Sequence, residues 1–177
     1  MQYTYEYASP MGMITAASNG ESLTGLWFNG QKYFAATLEK ENTAKIMPIF
    51  KETKKWLDIY FTGKNPGFMP SLYMNGSEFR IAVWKILCQI PFGAVITYGD
   101  IAKQIADQKG LKKMSAQAVG GAVGHNPVSI IVPCHRVVGA NGNLTGYAGG
   151  IGTKIKLLTL EGLDMKKFFV PAKGTAL

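Results

Sequence analysis

The chain has 177 residues, 47% of them hydrophobic, enough to bury one substantial core or two small ones. Its 19 Lys+Arg against 11 Asp+Glu leave a net charge of +8, which favours a polyanionic partner. No stretch approaches the roughly 20 apolar residues of a membrane span, and MQYTYEYASP lacks the basic and apolar regions of a signal peptide. The only cysteines, Cys88 and Cys134, suit a reducing compartment without a structural disulfide, so a cytoplasmic protein away from membranes is expected.

Residues 2–28 carry Tyr/Thr/Ile/Leu/Trp runs broken by Ser9-Pro10, Asn19-Gly20 and Asn29-Gly30, the pattern of three short strands joined by hairpin turns. An antiparallel sheet follows from it. From Thr43 to Phe61 the apolar positions Ile46, Ile49, Phe50, Trp56, Leu57, Tyr60 and Phe61 keep helical spacing, with Pro48 tolerated near the first turn. This helix is expected to pack on the sheet. Gly63 to Gly76, rich in Gly, Pro and Asn, reads as a linker between two lobes, 1–75 and 76–177.

The second lobe opens on Ser77 as an N-cap, followed by Phe79, Val83, Ile86, Leu87 and Ile90 on one helical face that ends at Pro91 and Gly93. Tyr98 to Ala106 forms a short helix, and Ser115 caps another that runs to about Gly124, which together suggest a helix-turn-helix. On that last helix Ala116, Gly120 and Gly124 make a stripe almost without side chains, with Gly121 beside it. Each interior glycine costs about 1 kcal/mol relative to Ala, so a close approach must compensate, either to another helix or to DNA. Val128 to Val132 is expected to be apolar and extended, delivering Cys134. A Gly/Asn-rich loop spans 139–152, and a final helix from Thr153 carries Ile155, Leu157, Leu158 and Leu160 up to Glu161 and Gly162. The fold class expected is α/β in the α+β arrangement: an antiparallel sheet with a packed helix, then a mostly helical lobe holding the helix-turn-helix and the cysteine.

A thiol of ordinary pKa is only a few per cent ionised at neutral pH, so a nucleophilic cysteine needs a base or a positive neighbour. His135 and Arg136 are candidates for both. Neighbours on an extended chain face opposite sides, so Cys134 and His135 can cooperate only if the backbone turns, which Pro133 favours, or if a water bridges them. Glu161 is the carboxylate best placed to orient His135. By spacing alone the stronger reading is that Cys134 is a small buried hydrophobe and His135 a surface residue.

The string AVGGAVGHNPVSIIVPCHRVV, Ala118 to Val138, resembles the active-site signature of the O6-alkylguanine-DNA alkyltransferases. The likeness runs from about Ser77 to Gly162 and takes in Ile96-Thr97-Tyr98, Gly146 to Gly150 and Leu158 to Gly162; the first lobe matches in size and in its strands-then-helix order. The resemblance implies repair by direct reversal: Cys134 accepts the alkyl group from O6-alkylguanine, and by extension O4-alkylthymine, one lesion per molecule and without cofactor or metal. It assigns His135 as base through a water, Glu161 as its partner, Asn126 as the brace of the cysteine turn, and Tyr98 as proton donor to a guanine ring nitrogen. Carbonyls of Cys134 and Val137 would receive the exocyclic amine, while Arg136, Tyr147, Ala148 and Gly149 contact the substrate and Lys154 stands near the entrance.

In this family the helix-turn-helix enters the minor groove of double-stranded DNA, and the damaged nucleotide is turned out of the duplex. Ser115, Ala116 and Gly120 would face the DNA, with Lys103, Lys109, Lys112 and Lys113 available to phosphates. The family's arginine finger is Gln117 here, which lacks the charge and the planar stacking surface. A monomer acting on chromosomal DNA is implied. The alternative, a non-catalytic module that recognises alkyl damage, is distinguished by lacking the cysteine. A papain-like protease would need a distant histidine and its own local signature. Zinc would have to use Cys88, Cys134, His125 and His135 at spacings of no common finger.

Overall fold

Strands form where the turn residues separate the β-rich runs: β1 (Gln2–Ser9), β2 (Gly12–Ser18) and β3 (Leu23–Phe28), in a computed structural model that describes residues 1–172. The pairing is antiparallel, with Tyr3 opposite Ser18 and Ile14 opposite Phe28. Asn19 shapes the second turn by accepting from the N–H groups of Glu21 and Ser22 at 3.1 and 2.9 Å, as Asx turns do. Both faces of β3 are buried. Trp27 lies across Gly25 so closely that a Cβ there would meet the indole at 1.8 Å, which makes glycine obligatory.

The sheet is not wholly antiparallel. A three-residue strand β4 (Asn42–Ala44) pairs in parallel with β1, giving the order β3-β2-β1-β4. The helix expected from Thr43 starts only at Pro48, as α1 (Pro48–Tyr60). Proline has no N–H to donate and therefore sits at the first helical position, and the preceding residues are spent on β4 and a loop. Ile46 consequently lies outside the helix, 66% exposed. The buried face of α1 is Ile49, Phe50, Thr53, Trp56, Leu57 and Tyr60. It meets the sheet through a Tyr5–Phe50 ring stack at 5.6 Å and a Tyr7 hydroxyl that donates to Asp58 at 3.0 Å.

Residues 63–76 are irregular but anchored. The Trp56 indole donates to the Phe68 carbonyl at 2.8 Å, and Leu23 exchanges backbone bonds with Ser71 and Tyr73. Contacts divide the chain into unit 1, Met1–Asn75 with Pro127–Ile131, and unit 2, Gly76–Asn126 with Val132 onward. The 75/76 division expected from sequence thus differs at Pro127–Ile131, which adds to β3: Val128 bridges Leu26 in parallel, with Leu26 N–H donating to Pro127 and Ser129 N–H to Leu26, both at 2.8 Å.

Unit 2 contains α2 (Glu78–Leu87), β5 (Ile96–Thr97), α3 (Tyr98–Lys109), α4 (Ala116–Gly124), β6 (Val137–Val138) and α5 (Ile151–Leu160). Its helices begin where short polar side chains cap them: Ser77 accepts from Arg80 N–H, Thr97 forms a capping box with Asp100, and Ser115 accepts from Ala118 N–H. Gly110, at φ 63°, ends α3, and Leu111 N–H returns to the Ala106 carbonyl as in a Schellman cap. Trp84, fully buried, ties α2 to α4 by donating to the Ala122 carbonyl at 2.9 Å. β5 and β6 pair in parallel, with α3 and α4 on the connection between them. Beside them Val138, Leu144 and Leu158 form a small core that extends to Ile155, Leu163 and Phe168. Among the described residues no helix is long and apolar enough to cross a membrane.

Candidate active site

The run to Cys134 is not extended. Ile130 takes φ 70°, and Ile131 N–H closes a three-residue turn on the Ser129 carbonyl at 2.8 Å. A second such turn is centred on Pro133 (φ −81°, ψ 64°), where Cys134 N–H donates to the Val132 carbonyl at 2.8 Å, the geometry of an inverse γ-turn. Cys134–Arg136 then coil into a single 3-10 turn. Proline suits the centre of this bend because its ring holds φ near the required value. These turns correct the expectation of an extended lead-in and remove the opposite-face constraint on Cys134 and His135.

Asn126, directly after the capping residue of α4, donates from Nδ2 to the Val132 carbonyl at 2.7 Å and to Cys134 Sγ at 3.1 Å. It therefore spans the cysteine turn. Burial pushes the Cys134 thiol above its ordinary pKa; the Asn126 hydrogen bond and the Lys154 charge oppose that shift. Burial likewise lowers the pKa of His135 against the pull of Glu161.

Glu161 caps the end of α5, and its carboxylate is saturated with donors. Oε1 accepts from His135 Nε2 at 2.6 Å and Arg136 Nη2 at 3.0 Å; Oε2 accepts from Arg136 Nε at 2.8 Å and Gly93 N–H at 3.1 Å. Burial alone would raise its pKa, but the bonds from His135 and Arg136 prevail and hold it at about 2. A carboxylate only accepts, so His135 is protonated on Nε2. Arg136, expected among the substrate and DNA contacts, is instead buried; its remaining nitrogen Nη1 donates to the Ile90 carbonyl at 2.7 Å. A clue lay in the sequence: an arginine within a run as apolar as 128–138 needs a buried acid, since ionised side chains are seldom buried unpaired.

Lys154 departs furthest from expectation. Its side chain is fully buried rather than at an entrance, and Nζ donates to the carbonyls of Val137 (2.6 Å), Thr145 (3.0 Å) and Gly146 (3.2 Å). Desolvation brings its pKa down to about 8, against the opposing influence of Cys134. Tyr98 shares two of these acceptors, its hydroxyl lying 3.2 and 3.4 Å from the Thr145 and Gly146 carbonyls; burial keeps that phenol protonated well beyond the ordinary range. The buried Tyr147 ring meets His135 edge-on at 6.4 Å. Ala148 and Gly149 are half-buried in the loop before α5.

Ser115, Ala116 and Gln117 lie exposed at the start of α4, outside this hydrogen-bond network. Gly120 is half-buried, and a Cβ there would only reach ordinary contact with the Tyr98 ring at 3.9 Å; a Cβ on Gly121 would meet nothing within 4 Å. Helix packing thus does not require either glycine. Lys103, Lys109, Lys112 and Lys113 are exposed. Among the described residues no group of three or more His, Cys, Asp or Glu is placed to hold a metal ion.

The arrangement places a buried thiol, held by Asn126, next in sequence to an imidazole that a carboxylate fixes. Residues 78–163 match the family described as 6-O-methylguanine DNA methyltransferase, DNA binding domain, and residues 1–68 match its ribonuclease-like domain. A methylated-DNA–protein-cysteine methyltransferase of Methanosarcina mazei is 42% identical over 93% of this chain and 99% of its own length; one from Haemophilus influenzae is 39% identical over 91% and 86%. Among solved structures, Mycobacterium tuberculosis O6-methylguanine methyltransferase aligns with TM-score 0.76 at 42% identity, covering 91% of this chain and 93% of that one. The Mycobacterium tuberculosis OGT solved in complex with DNA aligns with TM-score 0.75 at 41% identity, covering 97% and 95%. The chain belongs to the methylated-DNA–protein-cysteine methyltransferase family.

Proposed function

We propose that this protein repairs alkylated DNA by moving the alkyl group from O6-alkylguanine to Cys134. The observation that carries the reading is the buried Cys134 thiol held by Asn126, next in sequence to a His135 already bound to Glu161 at 2.6 Å. With Nε2 committed to Glu161, Nδ1 of His135 faces the task of taking the thiol proton, through a water. The imidazolium that forms is stabilised by the carboxylate. Thiolate sulfur then attacks the alkyl carbon: the S–C bond forms, the C–O bond breaks, and its electron pair stays with guanine. Tyr98 supplies a proton to a ring nitrogen of the leaving base, which requires its hydroxyl to exchange the Thr145 and Gly146 carbonyls for the substrate. The thioether has no return path, so each molecule acts once.

Double-stranded DNA reaches the site through the minor groove, with α4 laid along it and Gly120 and Gly121 admitting the backbone. Gln117 fills the gap left by the everted nucleotide. The protein acts as a monomer in the cytoplasm, on chromosomal DNA. The +8 net charge supports binding to this partner. Incubation with a duplex holding one O6-methylguanine, followed by peptide mass mapping, is expected to find one methyl group on Cys134 and no second turnover. Methyl on Cys88, or unmodified protein after repair, would overturn the mechanism.

A further inference from the structure

The Ser129–Ile131 turn holds a β-branched residue, Ile130, in the left-handed region at φ 70°. Such a conformation is strained for a β-branched residue and persists only where the surroundings over-determine it. In unit 1 the surroundings are specific. The backbone of Leu26 brackets the segment from Pro127 to Ser129. Gln31, also buried, accepts at Oε1 from both Phe28 N–H at 2.9 Å and the Ser129 hydroxyl at 3.1 Å. Its own N–H donates to the Phe28 carbonyl at 3.1 Å, so the glutamine is itself fixed. The Ser129–Gln31 bond joins positions 98 apart in the chain. Directly after this turn come Val132, whose carbonyl Asn126 binds, then Pro133 and Cys134.

We infer that Gln31, acting through Ser129, is a positioning residue for alkyl transfer: it holds the strained turn at Ile130 from which the chain enters the Val132–Cys134 bend. Without that hydrogen bond the turn relaxes towards an ordinary conformation, and the backbone that carries the sulfur loses its register. A misplacement of about 1 Å at a reacting atom can cost 10²-fold in rate. The inference rests on Cys134 being the alkyl acceptor.

The test compares Gln31→Met, Gln31→Glu, Ser129→Ala and the double variant Gln31→Met/Ser129→Ala in single-turnover methyl transfer from O6-methylguanine duplex. Duplex affinity and thermal unfolding are measured on the same samples. Gln31→Met and Ser129→Ala should each slow transfer about tenfold without weakening duplex binding. Gln31→Glu, which keeps the acceptor oxygen, should restore most of the rate. The double variant should be no slower than the slower single one, because both remove the same bond. Variants that unfold at lower temperature yet transfer at the wild-type rate would assign Gln31 to stability alone and overturn the proposal; so would single effects that multiply in the double variant. If Gln31→Met does not fold, Ser129→Ala, which removes only a hydroxyl, decides the matter. Failure of the wild type to methylate Cys134 would instead overturn the reading of the site.

Discussion

Around Cys134 the functional groups are bound to one another: Asn126 to the thiol, His135 and Arg136 to Glu161, and Lys154 and Tyr98 to shared carbonyls. On the outer face of α4 the reverse holds, for Gln117 is exposed and neither Gly120 nor Gly121 is required by any contact within the protein. The thiol pocket is organised before substrate arrives. The helix face has residues whose only compensation would come from a partner, which is why it carries about 1 kcal/mol of helix instability per glycine. The thiol pocket and the outer face of α4 are therefore separable by mutation.

The largest effect should come from Cys134→Ser. A serine hydroxyl is far harder to ionise, so methyl transfer should disappear in single-turnover assays while duplex affinity stays at the wild-type level. A parallel loss of affinity would mean that the two regions are not separable. Glu161→Gln comes next. It leaves the Arg136 charge buried without a counter-charge, a loss of about 3–5 kcal/mol in denaturant unfolding, and removes the partner of the imidazolium, slowing transfer about 10²–10⁴-fold.

The same carboxylate sets an acid limit. Glu161 titrates at about 2 in the folded protein against an ordinary value of 4.5, so between those values the unfolded chain binds the extra proton. Its stabilisation is complete above the ordinary carboxylate range and is lost as pH falls towards about 2. Unfolding midpoints measured across that window should drop in the wild type and much less in Glu161→Gln.

The helix face should respond in the opposite sense. Gly121→Ala adds a methyl group that touches nothing in the free protein, so stability should rise by up to about 1 kcal/mol. Duplex affinity should fall about tenfold, the cost of overpacking a close contact. If affinity survives, the stripe is not where DNA docks. The smallest change should be Gln117→Arg, which adds charge and a stacking plane worth about 0.5–1 kcal/mol at an exposed site, or a two- to fivefold gain in affinity for lesion-containing duplex. Weaker binding together with slower repair would place the intercalating residue elsewhere.

Much was legible before the structure because the signals were local. Caps at Ser77 and Ser115, turn residues at Asn19-Gly20, and helical spacing in α1, α2 and α5 each act over a few residues, and the elements formed there. The resemblance at Ala118 to Val138 pointed to Asn126, Cys134, His135 and Glu161 together, and the structure brings Asn126 to the thiol and Glu161 to the imidazole. β4 escaped notice because three exposed residues carry no alternation to read.

What the chain's own order of residues determined, then, was the helix starts capped by Ser77 and Ser115 and the glycines of α4, although Gly124, the third member of the expected stripe, is buried. Tertiary structure alone decided the environments of the charged residues. Arg136 was expected at the substrate and Lys154 near the entrance; packing buried them, the first on Glu161 and the second on three carbonyls. It also decided that Pro127–Ile131 joins β3 and that Ile130 turns at positive φ. The physical reason is range. Capping and periodicity are settled by neighbours within a turn or two, whereas the partner of a buried charge or of Ser129 lies tens of residues away and is chosen only when the core closes.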